Sequence, residues 1–145
     1  MVEVLRSALA LALALTASVV GAKPLPSRDA ACLARNVYYE AKAHDPVGQL
    51  AVAQVTLNRV RLGTWGNTIC RVVYAKGQFS WTSRKKLAKP KGTKWEQSQA
   101  IAMKALKGAK VRGLEKAHSF HSGKKPLWKG RLKLVKKAGG HFFYS

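Results

Sequence analysis

Residues 34–60 read ARNVYYEAKAHDPVGQLAVAQVTLNRV, a stretch that holds two helices and the boundary between them. Before the boundary, Ala30, Leu33, Ala34, Val37, Tyr38 and Ala41 recur every three or four residues, the period of an amphipathic helix. Ser27 is placed to cap its start, and Asp29 falls in its first turn, where negative charge suits the helix dipole. Asp45-Pro46 closes this helix and opens the next, because Asp suits the N-cap and Pro is tolerated at the first helical position. Residues 49–60 are apolar on nearly every side, which predicts the central buried helix, broken at Gly63-Thr64-Trp65-Gly66. Glu40 stands at the edge of the first helix's apolar stripe, near its C-terminal end, directly after Tyr38 and Tyr39.

The rest of the chain makes that carboxylate conspicuous. The 145 residues carry 27 Lys and Arg against six Asp and Glu, a net charge of +21. Such a charge calls for a polyanion or an anionic surface as partner: nucleic acid, phospholipid, or a cell wall with its acidic peptides and attached polymers. The length fits one domain, and there is no internal repeat. Residues 1–22 stand apart, with a lone Arg6, an Ala/Leu/Val-rich stretch over 8–20, and Val20-Gly21-Ala22 as a cleavage site, the tripartite form of a secretory signal peptide. The apolar stretch is shorter than the roughly 20 residues a membrane-spanning helix needs, so cleavage is favoured over a releasable membrane anchor. The expected location is therefore secreted or periplasmic, with residues 23–145 as the mature domain and the N-terminal segment the only membrane contact.

Further along, Asn67 is placed to cap a short helix through Cys70, Val72, Val73 and Tyr74. Residues 78–92 read as an irregular basic surface loop that begins with Phe79 and Trp81. Thr93-Lys-Trp-Glu96 matches a capping box and opens a helix to Leu106, stopped at Gly108. Residues 117–122 alternate as a strand does, and residues 141–144 form a second strand after a glycine turn. The fold class is α+β, a mainly helical body with a small C-terminal antiparallel β element. Cys32 and Cys70 lie in no metal-like spacing, and the sequence leaves open whether they pair or are two small buried residues.

The ordered motifs Tyr39-Glu40-Ala41, Asp45-Pro46, Gly48-Gln49-Leu-Ala51-Val52-Ala-Gln-Val55-Thr-Leu-Asn58-Arg59-Val60 and Gln78-Phe79-Ser80 strongly resemble the SleB-type cell wall hydrolases, the spore cortex-lytic enzyme family. The resemblance continues through residues 68–74, 117–121 and Gly140-His141-Phe-Phe-Tyr144, covering nearly all of the mature chain. It implies a lysozyme- or lytic-transglycosylase-like domain acting on peptidoglycan, and it places the catalytic glutamate at Glu40. A second acidic residue that the family carries a few positions on is replaced here by His44.

Elimination among the acids leads the same way. Glycoside hydrolysis ordinarily uses two carboxylates roughly 5–9.5 Å apart. Asp45 would be rotated about 140° from Glu40 on a continuous helix. Glu96 is expected to cap, Asp29 lies three turns back, and Glu3 falls within the signal peptide. Glu115 alone is left as an uncommitted partner, so a one-carboxylate mechanism is favoured, and the resemblance implies one: lytic transglycosylation. Glu40 must then hold a proton near neutral pH, which calls for desolvation by Val37, Ala41 and the tyrosines against a field of +21.

Phe79, Trp81 and Trp128 are candidate sugar-stacking aromatics. His118, His121, His141 and Tyr144 are candidate substrate hydrogen-bonding groups. His-x-x-His on a strand points its two rings to opposite faces, which argues against a shared metal, so neither metal nor cofactor is expected. Asn58 and Arg59 read as structural, with the arginine reaching the surface. The lysine clusters form a cationic face for an anionic envelope, and the protein is expected to act as a monomer without specific nucleic-acid binding. The rival from another class is a non-catalytic cationic module binding wall, membrane or nucleic acid. Within the enzyme class, muramidase and amidase are the alternatives.

Overall fold

The computed structural model describes residues 27–145 apart from Lys125 and Leu127, with Lys129 described by its backbone alone. The expected signal peptide, residues 1–22, lies outside the described residues. Four helices run in order, α1 (Arg28–Ala41), α2 (Pro46–Leu62), α3 (Ile69–Tyr74) and α4 (Gly92–Leu106), followed by strands β1 (Ser119–His121), β2 (Leu134–Ala138) and β3 (His141–Tyr144). Short 3-10 turns occupy Ser80–Ser83 and Lys129–Arg131.

The local signals for α1 and α2 act as read. Ser27 Oγ accepts from the Ala30 amide, Asp45 Oδ1 accepts from Gly48, and Gly63 ends α2 in the left-handed conformation. Two caps differ from expectation. Thr68, not Asn67, accepts from Arg71 and caps α3, because its extended backbone aims the hydroxyl at the third amide of the helix. The Thr93–Glu96 capping box does not form: α4 already begins at Gly92, with Lys91 at its N-cap, so Thr93 lies inside the first turn.

α2 is the hub. One side packs Ala53 with Leu33, Val37, Val73, Ile101 and Ala102 of the other helices. Its other side packs Ala51 and Val55 against Leu114, Ala117 and Phe143. Cys32 and Cys70 form a disulfide that ties α1 to α3 across a separation of 38 residues. No helix among the described residues is long and apolar enough to cross a membrane.

The sheet is antiparallel in the order β1-β3-β2, with Phe120 opposite Phe143 and a register shift between Leu134 and Lys136. β2 is an addition to the two expected strands. Polar side chains of α2 hold the segment leading into β1: Gln54 Oε1 accepts from Val111, Asn58 donates to the carbonyls of Leu114 (2.8 Å) and Ala117 (2.6 Å), and Arg59 Nε donates to that of His118 (2.7 Å). At the other end of α2, Gly48 abuts Gly139 of the β2–β3 turn so closely that an added Cβ would lie 2.7 Å from its Cα.

Candidate active site

A cleft of about 280 Å³ opens where the C-terminal end of α1, α2, the residue 77–80 turn and the sheet meet. Glu40, Arg59, Phe79, Phe120, His121 and His141 line it, with Gly77, Gln78, Ser80 and Ser122 completing the wall. Glu40 arrives there from the last turn of α1. That helix end is fixed by Gln49, fully buried, whose amide donates to the carbonyls of Ala41 and His44 (both 3.2 Å).

Burial raises the Glu40 pKa, and the positive charges of Arg59 and Arg84 pull against it. Its place at a helix C-terminus acts with burial, since the dipole there disfavours negative charge. Of the tyrosines beside it in sequence, Tyr38 packs on Trp95 and Tyr39 on Trp81. Phe79 and Phe120 give the cleft that Glu40 lines an apolar wall.

Arg59 is the functional candidate that the sequence reading missed. Instead of reaching the surface, it is 6% exposed, with its guanidinium 5.0 Å from both the Trp65 and Phe79 ring centroids. Burial lowers its pKa to about 10, with Glu40 opposing, so it remains a cation at neutral pH. An arginine buried on a helix apolar all round needs a partner, but among 27 basic residues the sequence does not mark this one as buried. Asn58 has the structural role expected of it.

Of the expected substrate groups, Phe79, His121 and His141 line the cleft with Glu40, whereas Trp81, His118, Trp128 and Tyr144 do not. Phe79 is 2% exposed, so the ring face expected to stack on sugar is covered, with the Arg59 cation over it. Trp81 is a core residue: it donates to Asn36 Oδ1 (2.9 Å) and packs on Tyr39 and Tyr74, because the 3-10 turn of the basic loop directs it inward. His118 holds Arg59 through its carbonyl and faces Trp65. Trp128 and Tyr144 pack on each other and on His121, and the Tyr144 hydroxyl bonds His121 Nε2 (2.9 Å). His141 is buried against His44, ring centroids 4.4 Å apart, and burial with the neighbouring His44 and His121 lowers its pKa to about 4. His44, standing where the family's second acid is expected, thus packs on a neutral imidazole.

The other carboxylates are occupied elsewhere. Asp29 accepts from the Cys70 amide, Asp45 caps α2, Glu96 is exposed on α4, and Glu115, exposed, accepts from Gly113 and is not among the residues lining the cleft. Among the described residues no three His, Cys, Asp or Glu side chains group as a metal site.

The fold matches the crystal structure of the catalytic domain of the Bacillus cereus SleB protein, with a TM-score of 0.67 and 24% sequence identity over 82% of this chain and 91% of that one. A search of curated proteins finds no match. The family model described as Cell Wall Hydrolase matches residues 43–144, beginning just past Glu40 and taking in α2, Arg59 and the whole sheet. With most of its length matched, including every cleft-lining residue except Glu40, the chain belongs to the cell wall hydrolase family.

Proposed function

We propose that the chain cleaves peptidoglycan glycan strands between N-acetylmuramic acid and N-acetylglucosamine as a lytic transglycosylase, with Glu40 as acid and then base. One observation carries this: Glu40 is the single carboxylate among the residues lining the cleft. The protonated carboxyl gives its proton to the glycosidic oxygen, the bond from C1 to that oxygen breaks, and N-acetylglucosamine leaves with a 4-hydroxyl. The Glu40 carboxylate then takes the proton of the muramyl 6-hydroxyl while O6 closes on C1, giving the 1,6-anhydro ring and restoring the acid. No second protein carboxylate is required, in contrast to the paired acids of ordinary glycosidases. The raised pKa of Glu40 suits the first step, and the cations Arg59 and Arg84 suit the second by favouring the carboxylate.

The test is mass spectrometry of digested sacculi. Anhydromuramyl ends are expected; reducing muramyl ends would make the protein a muramidase, and freed peptides an amidase. Wall binding without released fragments would make it the cationic module. We further propose that residues 1–22 direct export, on the strength of their apolar stretch and the Val20-Gly21-Ala22 site. The mature protein's N-terminal sequence is then expected to begin at Lys23.

A further inference from the structure

Arg59 is a buried cation held rigidly at the cleft. Its Nε is bonded to the His118 carbonyl and its guanidinium carbon lies 5.0 Å from the ring centroids of Trp65 and Phe79, yet Nη1 is buried without a hydrogen-bond partner. Buried charges persist when paired. The carboxylate among the lining residues is Glu40, whose attraction for Arg59 is lost when it takes up the proton it needs to act as an acid. No other lining residue is a carboxylate, and Arg84 adds a second cation near Glu40. The reactive state of the cleft therefore has an uncompensated cation at a fixed place. Its volume, about 280 Å³, is at the low end of ligand pockets at ~300–1,000 Å³, so a sugar reaching Glu40 sets its substituents close to Arg59.

We propose that Arg59 recognises the free lactyl carboxylate of muramic acid, making peptide-free glycan the preferred substrate. This rests on the reading of Glu40 as proton donor to a muramyl bond. The lactyl group is an anion when free and a neutral amide when it carries a stem peptide, whose own carboxylates lie further out along the chain, so only peptide-free glycan sets a negative charge directly on the sugar that Glu40 acts on. A hydrolysis of the lactyl–peptide amide must then precede this enzyme.

The experiment compares kcat/KM on glycan strands from one preparation, with stem peptides intact or removed by an amidase. Wild type is expected to favour the peptide-free strands by ~tenfold or more. Arg59→Met is expected to lose that preference, with the rise in KM confined to the peptide-free strands, so that the ratio of the two substrates and not the absolute rate is the readout. Equal wild-type rates on the two glycans, or equal losses on both in Arg59→Met, would overturn the proposal. If Arg59→Met does not fold, Glu40→Gln with Arg59 intact serves in calorimetry against a muramyl disaccharide bearing a free lactyl carboxylate or its amide. Binding ~tenfold tighter to the carboxylate supports the proposal, and equal binding overturns it. Product analysis is read separately: reducing ends in place of anhydro ends would sink the transglycosylase reading and leave the substrate ratio as the measure of Arg59.

Discussion

At the scale of single residues, Glu40 is set where folding disfavours its charge. For a carboxyl whose folded pKa is raised, the contribution to stability is present below the unfolded value and lost as pH rises through the folded one. Glu40→Gln is thus expected to be inactive, by about 10²–10⁴-fold if it removes a general acid, and yet more resistant to urea than wild type at pH 8. A variant both inactive and less stable at that pH would contradict this account. The activity of wild type is expected to fall with rising pH along a limb displaced above the ordinary carboxylate range. His141 works in the opposite sense. With a folded pKa of about 4 against an ordinary 6.5, its contribution is full above pH 6.5 and is lost as pH falls towards 4, amounting to roughly 3 kcal/mol. Urea midpoints recorded from pH 7 to 4 should fall accordingly, and His141→Gln should flatten that slope. Glu40 could be picked out from the sequence because an acid beside an apolar stripe is rare in so basic a chain. Arg59 could not, since one basic residue among many carries no such contrast until the fold shows that it is buried.

At the scale of elements, the helices of the first half were legible because Ser27, Asp45-Pro46 and Gly63 act on neighbours within a few residues. β2 was not: Leu134–Ala138 carries two adjacent lysines and no clean alternation, and it becomes a strand by pairing with β3. The contact between Gly48 and Gly139 is equally invisible in sequence, since it joins positions 91 residues apart. It brings the β2–β3 turn onto α2 and so sets His141 against the cleft. Gly48→Ala forces these backbones apart and is expected to cost ~1–3 kcal/mol, with a loss of activity larger than equally destabilising changes on the exposed face of α4. Thermal melts and wall-digestion rates measured on the same preparations would check both parts.

At the scale of the whole molecule, two cores share α2, and a covalent tie reinforces one of them. The Cys32–Cys70 bridge closes a loop of about 38 residues, for which chain entropy gives a stabilisation on the order of 4 kcal/mol. Cys32→Ser with Cys70→Ser is expected to lower the urea midpoint to that extent while leaving the cleft's chemistry intact, so that activity measured well below the melting temperature stays near wild type. A large loss of activity without loss of stability would mean that the bridge positions α1 and its acid directly. The sequence allowed this pairing without requiring it, because whether α1 and α3 touch is a property of the packed molecule. The hydrogen bonds from Gln54, Asn58 and Arg59 to the segment entering β1 have a mechanical meaning. They clamp the sheet wall of the cleft to the helix that forms its floor, so the two sides cannot swing apart without breaking them together. The cleft is therefore a slot of fixed width and not a jaw, and whatever enters it must do the bending.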